Sequence, residues 1–439
     1  MSKTILFSPV GGTDPISSTN YRDGSMLHIC RVYQPDEVVL YMSQEMLKNQ
    51  EKDDRYRYCL DHLQKLQNFE FSYHFIERPQ LKEVQEFDYF YQEFRQIIEC
   101  IFKKMDDSDQ LLLNISSGTP AMKSGLLVLK TLGEFPCKAI QVVNPERKIG
   151  TSIHDNYDVE TLWELNEDNS EDFENRCREV QCPTLSAMKA EEVIKKHILV
   201  YDYQAAVFMA ETLSEEYTEK YLDVLKMAEL RLRLDFKGTD NLLKEGKVDC
   251  IPVKDGNGRK SFEYALSLDI KLRRKEYADF VRAITPLIVD LFEMVLKKQY
   301  KIDINDYCRN DRNGRCWADE KLEGTEILKI LKEEYKNRFK GGGPIYSDHL
   351  KALIRTYSNN RNLIQIVEDL RQVESSVRNL AAHQVVSIDD TKIKTLTGFT
   401  GQQIFNKIKA VFSYTGLNIK GEYWESYDEM NKKIIELIG

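Results

Sequence analysis

Arg378, Asn379 and His383 stand together in the stretch RNLAAH, residues 378–383, and their types suit phosphodiester chemistry without a metal. An imidazole titrating near neutrality takes the proton from a ribose 2′-hydroxyl, or returns one to the leaving 5′-oxygen. A guanidinium holds two phosphate oxygens at once and stabilises the charge building on phosphorus. An amide orients either the imidazole or the phosphate. The product would be a 2′,3′-cyclic phosphate, and DNA would be spared because it lacks the attacking hydroxyl.

The spacing constrains how these groups meet. Apolar residues at Leu363, Ile366, Leu370, Val373, Val377 and Leu380 predict a helix over 361–383. On it Asn379 and His383 share a face one turn apart, with Ser376 a turn earlier, whereas Arg378 is rotated from His383 by about 140°. One helix therefore does not easily aim both at one small group. Two copies across a two-fold axis do, because an isologous contact repeats every residue in reverse. Val377, Leu380, Ala381 and Ala382 would let such helices approach closely. The bare spacing is weak evidence, since an accidental Arg-x4-His arises in roughly one such chain in three. Arg57 and His62 supply a second instance, read as structural because no Asn follows the Arg and no partner helix is evident.

A second concentration of chemistry lies in the first third of the chain. Strand patterns at 4–10, 37–42, 69–77, 111–116 and 138–143 alternate with helical patterns at 43–67, 83–105 and 119–133, and with a shorter one beginning near Ile16 or Leu27. This alternation predicts a parallel, doubly wound sheet. With strand order 3-2-1-4-5, the loops PVGGTDPISS and NISSGTPAMKSG open into one crevice at the point where the order reverses. Gly11, Gly12 and Gly118 permit close backbone approach there, and Ser116, Ser117, Thr119 and freed helix amides suit phosphate or hydroxyl groups. Each loop taken singly has a structural reading. Thr119 followed by Pro120 is a common helix start, and Asp14-Pro15 has the same form. Taken together they predict an anionic or nucleotide-like ligand. Neither G-x-G-x-x-G nor G-K-[ST] is present, which argues against NAD and ATP.

Length and composition bound the rest. The 439 residues predict two or three domains. A net charge of −9 excludes a general nucleic-acid coat, so any polyanion must meet local cations. Nine scattered cysteines form no C-x-x-C pair and no H-E-x-x-H occurs, so neither a disulfide framework nor a metal site is expected. No apolar run approaches the roughly 20 residues of a membrane span. The N-terminus reads as a first buried strand rather than a signal, which predicts a soluble, cytoplasmic protein. FDYFYQEF (87–94) reads as a helix packed on the sheet. Residues 145–185 read as a polar connector, with RCREVQC (176–182) at the surface. Long helical patterns dominate beyond 186, interrupted by a β-hairpin at 248–266 and by surface loops at 305–321 and 340–347.

The combination GGTDPIS…RDGSMLHICRVYQPDEVVLY, NISSGTPAMKSGL and a distal RNLAAH resembles the CARF–HEPN ribonucleases of type III-A CRISPR systems, over essentially the whole chain. The resemblance implies a Rossmann-like CARF ligand-sensing domain at 1–165, a connector and helical linker region with the hairpin at 166–260, and a mostly α-helical HEPN ribonuclease domain at 261–439. It implies binding of a cyclic oligoadenylate through Gly11, Gly12, Thr13 and Asp14 after the first strand, and through Ser116, Ser117, Gly118, Thr119 and Met122 after the fourth. Arg378, Asn379 and His383 match the family's catalytic motif. Members are homodimers that degrade single-stranded RNA indiscriminately; they need no cofactor beyond the activating ring, and no stable complex with the interference complex is expected. Relatives with this style of first loop tend to use the six-adenylate ring, others the four. Some cleave the ring slowly, for which Asp14 and Thr119 are the nominees here. Two alternatives stay open at the level of sequence: a ligand-sensing regulator without catalysis, and a HEPN toxin ribonuclease indifferent to nucleotide rings.

Overall fold

The computed structural model describes residues 2–133, 135–143, 157–245, 250–254, 256–311, 314–383 and 388–439, with the side chains of 244–245 and 377–383 outside the description. The chain divides into two units, Met1–Lys189 and Ala190–Gly439. Among the described residues no helix is long and apolar enough to cross a membrane.

The first unit alternates β1 (Thr4–Pro9), α1 (Ser25–Tyr33), β2 (Glu37–Ser43), α2 (Gln44–Asp53), α3 (Arg55–Gln67), β3 (Ser72–Arg78), α4 (Phe87–Phe102), β4 (Gln110–Asn114), α5 (Pro120–Leu132) and β5 (Cys137–Val142). Then follow α6 (Val159–Glu164) and β6 (Cys177–Val180). The sheet order is β3-β2-β1-β4-β5-β6. The first five strands are mutually parallel, as expected, and β6 adds antiparallel to β5. Strands covered on both faces read as near-continuous apolar runs. Leu6, Val38, Leu40 and Leu112 pack under α1 and α3 on one side. Phe7, Tyr41, Leu111 and Leu113 pack under α4 and α5 on the other. There Phe94 of α4 meets Phe7 edge-on, with ring centroids 5.3 Å apart. This is the expected role of FDYFYQEF.

The reading of 145–185 as connector is corrected for its described part. Residues 157–180 supply α6 and the sixth strand, and Arg176 of the presumed surface stretch is buried. A four-residue strand of alternating polar character has no pattern to announce it; its place comes from pairing Ala139 with Val180 and Val142 with Cys177.

A long helix, α7 (Pro183–Leu199), leads into the second unit. That unit continues with α8 (Tyr203–Ala210), α9 (Glu215–Thr218), α10 (Leu222–Leu232), α11 (Phe236–Glu245), α12 (Gly256–Arg273) and α13 (Tyr277–Tyr300). A short hairpin of β7 (Cys308–Asp311) and β8 (Gly314–Trp317) follows. The remaining helices are α14 (Asp319–Leu322), α15 (Glu326–Glu334), α16 (Ser347–Tyr357), α17 (Arg361–His383), α18 (Asp390–Thr397), α19 (Gly401–Phe412) and α20 (Ser426–Ile438). α13 runs through the core, burying Phe280, Ile284, Ile288, Leu291, Phe292 and Val295. Around it pack α12, α16, α17 and α19.

Two further expectations are corrected. Residues 248–266 form no hairpin where they are described; Gly256 begins α12 instead. The break at 305–321 is not simply a surface loop, because β7 and β8 bury Cys308, Cys316 and Trp317.

Candidate functional site

In the first unit the carboxyl ends of β1 and β4 are neighbours, with Phe7 opposite Leu113. The strand order reverses at this junction, and the loops that leave it enclose a cavity of about 700 Å³. Gly11, Gly12 and Thr13 line it from the first loop, and Ser116, Ser117 and Gly118 from the second. The loops touch so closely that a Cβ on Gly11 would sit 2.9 Å from the Gly118 nitrogen. Gly118 has φ +85°, and a Cβ there would meet Met122 Sδ at 2.8 Å. Both glycines are therefore required by the backbone. Gly12 is not, since nothing lies within 4 Å of its added Cβ.

Asp14, Thr119 and Met122 are not among the residues that line it, Asp14 and Met122 being buried and Thr119 half-buried. The Asp14 carboxylate is buried and accepts from the Ser117 hydroxyl, from Gly11 N at 2.9 Å and from Met26 N at 3.1 Å. It caps the start of α1 from a distance, instead of opening a helix of its own as its Asp-Pro form suggested. Burial pushes its carboxyl above the ordinary carboxylate range, against the hydrogen bonds from Ser117, Gly11 and Met26. Thr119 is the N-cap of α5, accepting from Met122 N at 3.3 Å and donating to Val84 O at 2.6 Å. Met122 is buried beneath Gly118. Asp14 and Thr119, the nominees for ring cleavage, thus make hydrogen bonds that hold the two loops at the cavity's edge.

A residue not singled out in the sequence positions the second loop. Buried Asn114, ending β4, accepts from Ser116 N at 2.9 Å and from Ser117 N at 3.3 Å, and it donates to Ser8 Oγ at 2.9 Å.

The cavity's cations were also missed. Lys123, one turn into α5, Arg176, just before β6, and Arg178, within it, all line it. Neither Lys123 nor Arg178 has a salt-bridge partner among the described residues. Arg176 is held from below: it donates to Asp168 Oδ2 at 2.6 Å and to Asp23 O at 3.2 Å. Its buried Nε has no hydrogen-bond partner among the described residues. Burial works to raise the Asp168 carboxyl, but the His28 hydrogen bond and the Arg176 charge hold it down at about 2. Asp23, His28 and Asp168 bring their oxygen and nitrogen atoms within 4.8 Å of one another. The positive charge this cluster calls for is already supplied by Arg176 on Asp168 and by Arg31 on Asp23 at 2.6 Å. The signal in the sequence was the Arg-x-Arg alternation of 176 and 178, which places both residues on one side of a strand. The resulting crevice is concave, rich in hydroxyls and amides, and cationic, which suits a phosphodiester-bearing ligand.

In the second unit α17 runs unbroken from Arg361 to His383, the range expected. Its first four turns are fixed tightly. Leu363, Val367, Leu370 and Val373 are buried, the Ser347 hydroxyl donates to buried Glu374, and Arg371 reaches Asp348 Oδ1 at 3.2 Å. Lys407 of α19 holds Asp369 at 2.7 Å. Arg378, Asn379 and His383 occupy the last two turns, and their side chains lie outside the described residues. The continuous helix keeps positions 378 and 383 about 140° apart around its axis. The alternative pair is structural, as expected. His62 has its Nδ1 2.7 Å from Tyr58 O and its ring stacked on Tyr58, while the Arg57 guanidinium lies over Phe75.

Comparison with known proteins places these features in company. Models of the Cas_Csm6 CARF domain, the Csm6 6H domain and the Cas_Csm6 HEPN domain match residues 75–177, 180–232 and 250–435. A CRISPR system endoribonuclease Csm6 of Mycobacterium tuberculosis is 31% identical, covering 99% of this chain and 98% of the relative. A Streptococcus thermophilus Csm6 is 26% identical over 99% of both chains. Among solved structures, Enterococcus italicus Csm6 bound to cyclic hexa-2′-fluoro-hexa-dAMP superposes with a TM-score of 0.69 at 19% identity, over 99% of this chain and 100% of that one.

Proposed function

Because this chain belongs to the Csm6 family of CRISPR-system endoribonucleases and is on that account an endoribonuclease, we propose that it cuts single-stranded RNA without a metal and only weakly until a cyclic oligoadenylate fills the crevice of its first unit. The observation that carries this reading is the RNLAAH stretch at the end of a rigidly packed helix, within the residues matched by the HEPN model. His383 serves as general base or acid for the ribose 2′-hydroxyl and the leaving 5′-oxygen, Arg378 neutralises the phosphate, and Asn379 orients it. The product is a 2′,3′-cyclic phosphate. The helical positions of 378 and 383 favour a homodimer in which two copies of α17 complete one centre.

The activator is a ring of phosphodiester-linked adenylates. The backbone-lined wall, the serines and the unpaired Lys123 and Arg178 suit its phosphates and ribose hydroxyls. The Enterococcus italicus neighbour, bound to a hexanucleotide ring, favours six adenylates over four. The sensing part ends after β6, the nuclease part begins near residue 250, and the helices between them join the two. A ring biases the nuclease only by binding its active state better, and each 1.4 kcal/mol of preference changes the population ratio about tenfold.

The test is cleavage of labelled single-stranded RNA in EDTA, with no ring, a four-membered ring or a six-membered ring. The six-membered ring should raise the rate, His383→Ala should abolish it, and the 5′ fragments should end in cyclic phosphate. Loss of cleavage in EDTA, or full activity of His383→Ala, would refute the mechanism.

A further inference from the structure

A second crevice, of about 710 Å³, lies in the second unit between the start of α12, the end of α13 and the turn after α19. Lys297, Lys298 and Lys301 converge on it, with Asp303 the one carboxylate in its lining. Lys297 spends its charge on Asp303, with Nζ 2.6 Å from Oδ2. Lys298 and Lys301 have no salt-bridge partner among the described residues. The wall is shaped around one of them. Gly416, at φ +82°, would drive a Cβ to 2.6 Å from Cδ and 2.7 Å from Cε of Lys298, so the lysine stem lies along a bare stretch of backbone.

A helix dipole accounts for lysines in the last turn of α13. It does not account for three of them reaching one cavity whose facing turn is glycine, on a chain of net charge −9. No aromatic ring lines the crevice, so it offers charge to a backbone rather than stacking to a base.

Its position relates it to the nuclease motif. Tyr414, at the turn that forms the wall, accepts from Gln299 at its carbonyl and from Asn362 at its hydroxyl. Asn362 is in the first turn of α17, whereas His383 ends that helix. Twenty-one residues of α-helix rise about 32 Å, which is the length of roughly nine stacked nucleotides at 3.4 Å each.

We propose that this crevice is a phosphate-binding subsite for the RNA strand, remote from the cut, in which Lys298 and Lys301 hold the backbone of substrates long enough to reach it. The inference rests on the reading that the chain cleaves single-stranded RNA, and it makes turnover depend on substrate length.

The double variant Lys298→Gln, Lys301→Gln tests it on the full-length chain. The ratio of kcat/KM on RNA of about 40 nucleotides to that on about 6 should fall roughly tenfold, through KM. The slope of log KM against log salt for the long RNA should shrink by about 1.4, two contacts at 0.7 each for a single strand. Single-stranded DNA of the long length, which lacks the attacking hydroxyl, is the uncleaved probe, and its affinity should fall by the same factor. An unchanged length ratio, salt slope and DNA affinity in a variant with wild-type melting would overturn the proposal. Wild-type failure to cleave RNA, with the DNA result intact, would instead refute the nuclease reading and leave the crevice as a polyanion site.

Discussion

His349 shows how far surroundings set the behaviour of an imidazole. It is enclosed by Trp317, Tyr335, Phe339 and Tyr346, and its Nδ1 accepts from Trp317 Nε1 at 3.0 Å. Burial lowers its pKa from 6.5 to about 4, with Arg371 acting in the same direction against Asp348. The folded protein thus carries it neutral while the unfolded chain binds a proton below pH 6.5. Its stabilisation is complete above that value and is lost as pH falls towards 4, by at most roughly 3 kcal/mol. Urea unfolding between pH 7 and 4 should show this loss, and His349→Gln should flatten that part of the profile. An unaltered slope in the variant would place the proton elsewhere. The cations of the first unit line the ligand crevice. Arg178→Ala should raise the ring concentration needed for half-activation by about ten- to a hundredfold, the worth of one charged hydrogen bond. Glu179→Ala, next to it on the opposite side of β6, should change it little. Equal effects of the two would remove Arg178 from the ligand.

At the scale of elements, the loop between β4 and α5 is the most constrained piece of the sensing unit. Gly118→Ala would place a Cβ against Met122 Sδ and force a left-handed backbone on an L-residue, at a cost of about 1–2 kcal/mol. Thermal unfolding should register that loss, together with a weaker response to the ring; an unchanged melt would show that the loop relaxes freely. Such a loop was legible because glycine, serine and a capping threonine mark a strand-to-helix turn in the sequence itself. The parallel strands β1, β2 and β4 were legible as apolar runs, and α16, α17 and α20 through their amphipathic stripes. α12 was not, for a physical reason. Ser261, Phe262, Glu263, Ala265, Leu266, Ser267, Leu268, Asp269 and Ile270 are all buried, so the helix is enclosed on every side and shows no stripe. Phe262, Tyr264, Leu266, Leu268 and Ile270 even alternate as a strand would. Its buried glutamate, Glu263, is met by Arg231 at 2.9 Å, a partner 32 residues distant that no local pattern reveals. Arg176 escaped notice for the same reason, since what buries it is Asp168 and the floor of the crevice. Six of the nine residues expected around the ligand line the cavity; Asp14, Thr119 and Met122 hold the loops, a distinction that depends on hydrogen bonds between distant segments.

For the molecule as a whole, activity should depend on protein concentration. If one phosphodiester needs Arg378 and His383 from two copies of α17, a lone protomer has no nuclease centre. The dimer fraction falls in proportion to total protein once that lies well below the dimer dissociation constant, so the rate per protomer should fall in the same proportion on dilution. If the activating ring is held between two copies of the first unit, it binds the dimer and not the protomer. At a hundred times its own dissociation constant it stabilises the dimer by about 2.7 kcal/mol, a shift of roughly a hundredfold in the dilution midpoint. Specific activity measured over several decades of protein concentration, with and without saturating ring, should therefore give two parallel curves. The curve with ring should be displaced to lower concentration as well as raised in plateau. Sedimentation at the same concentrations fixes where protomers dominate. Specific activity that holds steady where sedimentation shows protomers would mean that a single α17 suffices, despite the 140° between positions 378 and 383. A raised plateau with no displacement would mean that the ring acts within one subunit, and a ring site shared by two copies would be ruled out while the nuclease motif stood.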